Sequence, residues 1–207
     1  PELPTWDELS EMGIYRYHTP ENHVVPMRKF REDPEANPLA TPSGKIEIFS
    51  SELWDMAKTW TFEDPQKGDV ITALPEYVDT FESNEKHPLQ CIGHHFKGCV
   101  HSTFANLEWL TSAHHQRLFI NPMDAEERGI SADDLVEVYN DRGRVRVPAN
   151  VTTRIRPGVV SLPQGAWYKN DDGVDVGGNI NTLTTLHPTA YAKGNPQHIN
   201  LVQVKKA

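Results

Sequence analysis

From residue 89 to its end, this chain is written in short apolar runs separated by Gly, Pro, Asn and Asp. The runs are residues 89–92 (Leu-Gln-Cys-Ile), 118–120 (Leu-Phe-Ile), 136–139 (Val-Glu-Val-Tyr), 145–151 (Val-Arg-Val-Pro-Ala-Asn-Val), 158–162 (Gly-Val-Val-Ser-Leu) and 201–204 (Leu-Val-Gln-Val). Six or so short strands, few helices and repeated turns point to a small closed β-barrel rather than a layered α/β domain. Residues 136–151 read as a hairpin turning at 140–143 (Asn-Asp-Arg-Gly), with Val145 and Val147 on one face and Arg144 and Arg146 on the other. One helix stands out in the strand-rich part. Asn121 is its N-cap, Pro122 takes the first turn, Asp124, Glu126 and Glu127 suit the positive end of the dipole, and Gly129 stops it.

The upstream part reads differently. Residues 1–40 are rich in Pro and charge, and we expect an extended, mobile arm with one short helix near Trp6, Leu9, Met12 and Ile14, capped by Thr5 with Glu8 three residues on. Residues 41–44 (Thr-Pro-Ser-Gly) form a turn, and 45–49 (Lys-Ile-Glu-Ile-Phe) alternate as a half-buried strand should. Ser50 or Ser51 then caps a helix with Leu53, Met56 or Ala57, and Trp60 on one face. Residues 61–87 read as an acidic linker with at most one short strand near 70–74. The division expected is an arm and linker over 1–85 and a barrel over 86–207.

Chemistry concentrates in residues 93–106, Gly-His-His-Phe-Lys-Gly-Cys-Val-His-Ser-Thr-Phe-Ala-Asn. Lys97 supplies charge, Ser102 and Thr103 hydroxyls, and His94, His95 and His101 donors or acceptors according to tautomer. Gly93 and Gly98 let the backbone approach a ligand. Composition alone leaves two readings open: a loop built for an anionic or heteroaromatic ligand, or a solvated surface loop. A zinc site is disfavoured, because His94 and His95 on an extended segment face opposite ways and no Asp, Glu or Cys completes a tetrahedron. A hydrolase using Ser102 with His101 or His95 lacks a nucleophile elbow. Net charge −9 argues against a general nucleic-acid binder, so a polyanionic ligand must be held by local donors. Two cysteines, Cys91 and Cys99, make no disulfide framework and are expected to be buried or lining. No apolar run reaches a membrane span and no leader segment is visible.

Five stretches in order resemble one family. They are residues 41–48, 93–103, 120–130 (Ile-Asn-Pro-Met-Asp-Ala-Glu-Glu-Arg-Gly-Ile), 164–168 (Gln-Gly-Ala-Trp-Tyr), and 178–184 (Gly-Asn-Ile-Asn-Thr-Leu-Thr) followed by 193–198 (Lys-Gly-Asn-Pro-Gln-His). The resemblance is to the C-terminal cofactor-binding domain of the dimethyl sulfoxide reductase family of molybdoenzymes, in its anaerobic, membrane-associated branch with the selenate-reductase-like paralogues. It implies a six-stranded double-psi barrel like that of aspartate decarboxylase, belonging to a larger polypeptide. It also implies that the domain holds one pterin dinucleotide of molybdenum bis(molybdopterin guanine dinucleotide). The residues so implied are Gly93, His94, His95, Lys97, His101, Ser102, Thr103, Gly165, Ala166, Trp167, Asn181, Leu183, Thr184, Asn195 and Gln197. For Trp167 the alternative is a core aromatic; Asp171, Asp172 and Asp175 read as a solvated loop, and Asn121 and Asp124 as capping, with Asp124 also able to meet guanine.

The resemblance implies no catalytic residue in this chain. The parent would reduce dimethyl sulfoxide, related S- or N-oxides, or selenate in anaerobic respiration. Its [4Fe-4S] cluster and its molybdenum ligand would lie outside this stretch, leaving the isolated chain inactive. Its partners would be the remainder of the catalytic subunit, an iron–sulfur subunit and a membrane anchor. Its location would be the bacterial cytoplasmic membrane, on the periplasmic face after export. The rival class is a non-catalytic module for a nucleotide-like ligand, which the sequence upstream of such a chain would distinguish; a His-based metallohydrolase is a distant third.

Overall fold

A computed structural model describes residues 3–17, 25–79, 85–195 and 197–207. It divides into two units, residues 1–49 and 50–207. In the first, helix α1 (Trp6–Met12) carries the expected capping box: the Thr5 hydroxyl accepts from the Glu8 N–H, and the Glu8 carboxylate accepts from the Thr5 N–H. A second helix, α2 (Arg28–Glu32), was not expected. Residues 45–49 correct the sequence reading, for they form no strand. Ile46 and Ile48 are 69% and 72% exposed, so alternation there has no sheet to pair with and no core to face. The part of the arm at 18–24 lies outside the described residues.

In the second unit, α3 (Ser51–Thr59) starts at Ser50, whose hydroxyl accepts from the Leu53 N–H. Residues 70–74 are not a strand. The barrel strands are β1 (Leu89–His95), β2 (Leu118–Ile120), β3 (Leu135–Tyr139), β4 (Arg144–Val151), β5 (Val159–Gln164) and, after a two-residue hairpin of β6 (Asn170–Asp171) and β7 (Val174–Asp175), β8 (Asn200–Lys206). The order β2-β5-β1-β8-β3-β4 closes through a β2–β4 pairing, and β7 and β6 extend from β4. Two helices sit among them, α4 (Glu108–Ala113) and α5 (Pro122–Glu127).

Parallel pairing is confined in the ring to β1–β5 and β2–β4; its other pairs are antiparallel. Exchanging β1 with β4, β2 with β5 and β3 with β8 maps this pairing scheme onto itself. The ring is therefore a mainly β, six-stranded double-psi barrel with internal two-fold pseudosymmetry, as expected. No sequence repeat announces it.

The core follows from alternation along β1, β2, β4 and β8, while β3 and β5 are buried at consecutive positions. Cys91, Leu118, Ile120, Val136, Val138, Val145, Val160, Leu162 and Val202 are fully buried inside the ring. Each such Val or Leu contributes about 1.5–3 kcal/mol. Val145 and Val147 face inward while Arg144 and Arg146 meet Glu137 on the outer face, as the hairpin reading requires. Asn121 caps α5 by accepting from the Met123 N–H and donates to the Ile155 carbonyl; Asp124 accepts from the Gly158 N–H. Both are structural. Among the described residues no helix is long and apolar enough to cross a membrane.

Candidate dinucleotide site

The parallel β1–β5 pairing runs from Gln90 with Val159 to His95 with Gln164. Parallel strands end at the same rim, so the loops that follow them, 96–107 and 165–169, emerge side by side. They touch through Gly165, which has φ +101; a Cβ there would lie 1.9 Å from the His101 carbonyl oxygen. Next to it the Trp167 indole N–H donates to the Ser102 carbonyl (2.8 Å). The two motifs, about 65 residues apart in sequence, thus make one wall.

Within that wall His95 meets His101 edge-on, ring centroids 5.3 Å apart, and His101 has φ +51. The Thr103 hydroxyl donates to the Val100 carbonyl (2.6 Å) and accepts from the Val100 N–H, so it is engaged in its own turn. Lys97 and Ser102 are exposed. His94 points the other way, as strand alternation demands. It shares a 2.6 Å hydrogen bond with Ser161, lies edge-on to Phe119, and is held below its ordinary pKa by burial. The structure therefore separates His94 from His95 and His101.

Beside the wall lies a half-open cavity of about 640 Å³ bordered by α4 and the 165–177 segment. Phe96, Phe104, Trp167 and Tyr168 give it flat apolar faces, with Gln116 and Lys169 among its polar lining; Gly165 and Ala166 also reach it. Trp167 is 55% exposed and so is not a core aromatic. Cys99 lines the cavity, its thiol pushed up by burial, whereas Cys91 lies in the core and is pushed up to about 12 by the same cause. Gln116 is absent from the sequence reading. Its amide donates to the carbonyls of Pro163 (2.7 Å) and Gly178 (2.8 Å), tying the floor to the end of β5 and to the 178–184 stretch.

A second group forms at Gly93. Its N–H donates to His198 Nδ1 (3.3 Å), and a Cβ would lie 3.2 Å from Ile180 and 3.5 Å from the Gln197 side-chain oxygen. Gln197 therefore sits on Gly93. Asn195 is exposed, and its carbonyl accepts from the Gln197 N–H. Asn181 is exposed; its carbonyl accepts from the Thr184 hydroxyl. The Leu183 side chain is fully buried in the core, and its carbonyl accepts from Asn140 and twice from Arg142.

Sequence reasoning missed several polar residues that shape this rim. Asn200, buried on β8, accepts from the Thr185 N–H and from Arg142, and its own amide N–H₂ has no partner among the described residues. Burial holds the Arg142 guanidinium below its ordinary pKa. Asp175 corrects the solvated-loop reading: it is 1% exposed and accepts from the N–H groups of Lys169, Gly177 and Asn179 and from the Thr182 hydroxyl. Buried donors without partners are costly, so one carboxylate that satisfies three backbone N–H groups fixes the path of 169–182. An Asp near Gly in a polar run carries no local mark that tells this hub from an exposed side chain.

The closed six-stranded double-psi ring and a rim cavity with aromatic faces define a ligand-binding barrel. The chain belongs to the Molydopterin dinucleotide binding domain family, whose model matches residues 89–201. It is 52% identical over 214 residues to the putative dimethyl sulfoxide reductase chain YnfE of Escherichia coli K12, and 52% identical over 212 residues to dimethyl sulfoxide reductase DmsA of the same strain. It is 35% identical to trimethylamine-N-oxide reductase 1 of Escherichia coli K12. These alignments cover 99–100% of this chain, which spans about a quarter of the length of each relative. Among solved structures, acetylene hydratase from Pelobacter acetylenicus matches with TM-score 0.65 and 19% identity over 84% of this chain and 25% of the hydratase, a likeness of fold.

Proposed function

We propose that this chain is the C-terminal part of the catalytic subunit of a molybdenum S- or N-oxide (or selenate) reductase, and that its barrel holds one pterin guanine dinucleotide of molybdenum bis(molybdopterin guanine dinucleotide). Residues 1–85 are assigned to the preceding part of that subunit and 86–207 to the dinucleotide barrel. The carrying observation is the joining of the 93–106 and 164–168 loops through Gly165 and Trp167 in front of the 640 Å³ cavity. The volume suits a ligand of nucleotide size. Its donor set fits the group too: flat aromatic faces for a heterocycle, and Lys169 with the His114 and His115 imidazoles for phosphate or for ring edges.

Bound there, the group would supply the oxygen-atom and electron chemistry of the parent; no residue of this chain is assigned a catalytic role. This chain's part is to bind, orient and exclude water. His95, His101, Ser102 and Lys97 offer donors at the loop, Thr103 braces it through Val100, and Gly165, Ala166 and Trp167 form the face. Gly93, Asn181, Leu183, Thr184, Asn195 and Gln197 make up the second rim group, with Leu183 acting through backbone placement. His94 would act by anchoring β1 through Ser161, since its ring faces away from the cavity. Electrons would arrive from an iron–sulfur subunit docked with a membrane anchor on the periplasmic face of the cytoplasmic membrane, and the [4Fe-4S] cluster of the catalytic subunit would lie outside this stretch.

The test is an amide-shift NMR titration of the chain with GDP. Shifts clustered at 93–103, 165–168 and 181–184 are expected. A well-dispersed spectrum that GDP leaves unchanged would overturn the reading of a preformed pocket.

A further inference from the structure

Asn195 and Gln197 belong to a rim loop, residues 184–199, that has no helix or strand among its described residues. The barrel grips this loop at its ends. Asn200 accepts from the Thr185 N–H (2.7 Å), Gln90 donates to the His198 carbonyl (2.8 Å), and the Gly93 N–H donates to the His198 ring. In the middle, Thr189 closes a tight turn with Lys193 and Gly194, and this turn is bonded to itself rather than to the barrel. Lys193 in it has φ +53.

Among the described residues, the hydrogen bonds and ring contacts that reach the loop's middle from elsewhere come from residues 60–69, upstream of the family match. Asp69 Oδ2 lies 2.7 Å from His187 Nε2, and because a carboxylate only accepts, the imidazole donates. The Asp69 side chain is 9% exposed, and the same oxygen accepts from the Gln66 N–H (2.8 Å), so a turn at 66–69 holds the acceptor in place beforehand. Trp60 meets Tyr191 edge-on at 6.0 Å and lies 5.9 Å from Lys193 Nζ. Trp60 is itself fixed as the C-cap of α3, and the Ser50 N–H at the other end of that helix donates to the Ala73 carbonyl.

We propose that residues 60–69 are a strap that positions the 185–198 loop, making Asp69 and Trp60 positioning residues for dinucleotide binding. The inference rests on the reading of Asn195 and Gln197 as dinucleotide contacts. A loop this long, tied only at its ends, must be ordered when ligand binds; a strap that orders it beforehand removes that cost. The working binding unit therefore begins upstream of residue 86.

The experiment uses the whole 207-residue chain and two readouts, amide hydrogen exchange and GDP titration. Asp69→Ala removes the acceptor shared by His187 and Gln66, while Asp69→Asn keeps a carbonyl oxygen for both. Trp60→Ala removes the ring contacts, while Trp60→Phe keeps an aromatic edge. The Ala variants should speed exchange across 186–198 by roughly 10-fold or more, leave the barrel-strand amides unchanged, and weaken GDP about 10-fold. The conservative variants should restore both. Unchanged exchange at 186–198 in Asp69→Ala and Trp60→Ala would overturn the strap, and faster exchange with unchanged GDP affinity would overturn its positioning role. If GDP fails to bind the unsubstituted chain, the dinucleotide reading and the positioning role fall together, while the exchange data still decide whether residues 60–69 hold the loop.

Discussion

Replacing Gly165 by Ala tests the joint between the two motif loops. Two costs add at this position. The residue has φ +101, a region an L side chain enters at about 1–3 kcal/mol. The new Cβ would also stand 1.9 Å from the His101 carbonyl oxygen and 2.7 Å from its carbon, both backbone atoms that no rotamer change can move. Forced overpacking of this kind costs about 1–3 kcal/mol further. The sum, about 2–6 kcal/mol, is a large share of a domain stability of about 5–15 kcal/mol. Gly158→Ala is the internal control: φ there is +80, but nothing lies within 4 Å of the added Cβ, so only the backbone cost applies. Urea unfolding followed by circular dichroism gives both values. Gly165→Ala should exceed Gly158→Ala by about 1–3 kcal/mol, or part the loops and expose the 99–104 amides to exchange. A Gly165→Ala variant no less stable than Gly158→Ala, with unchanged exchange at 99–104, would refute the claim that the loops meet at this glycine.

Two further outcomes follow from buried carboxylates. Asp175→Ala strands the N–H groups of Lys169, Gly177 and Asn179 and should cost about 3–5 kcal/mol in urea unfolding, whereas Asp171→Ala, an exposed residue 3.7 Å from Arg146, should cost at most about 1 kcal/mol; equal losses would refute the hub. Glu137 is held below the ordinary carboxylate range first by its hydrogen bond from Arg146, against the opposing effect of burial, and then by Lys205. A depressed folded pKa gives stability that is present above the unfolded value of 4.5 and lost as pH falls through the folded value. The stability difference between the unsubstituted chain and Glu137→Gln should therefore be constant above about pH 5 and shrink below 4.5; a difference that does not change across that range would refute the assignment.

Local codes carried much of the fold. Valine alternation in residues 145–151 placed Val145 and Val147 inside and the arginines outside, because side-chain direction along a strand has period two whatever its partner. The caps at Thr5 and Asn121, and to within one residue that at Ser50, were readable because a cap bonds within three residues of itself. The same logic misled at residues 45–49, where alternation alone could not supply a neighbouring strand. The donor-rich motifs were legible as chemistry, and strand alternation correctly sent the adjacent His94 and His95 to opposite faces. The meeting of His95 with His101, and of both motif loops at Gly165, was not legible.

What the sequence by itself determined is a strand-rich barrel with a donor-rich loop and three helix N-caps, since each depends on contacts within a few residues. Only the tertiary structure decided ring closure through β2–β4, the burial of Asp175, and the roles of Gln116, Arg142, Asn200 and the 60–69 strap. The partners of Gln116 lie 47 and 62 residues away and that of Asp69 lies 118 away. A hydrogen bond that spans so much chain leaves no periodicity behind, because its partner (a backbone carbonyl for Gln116, an imidazole for Asp69) comes within reach only once the chain has folded.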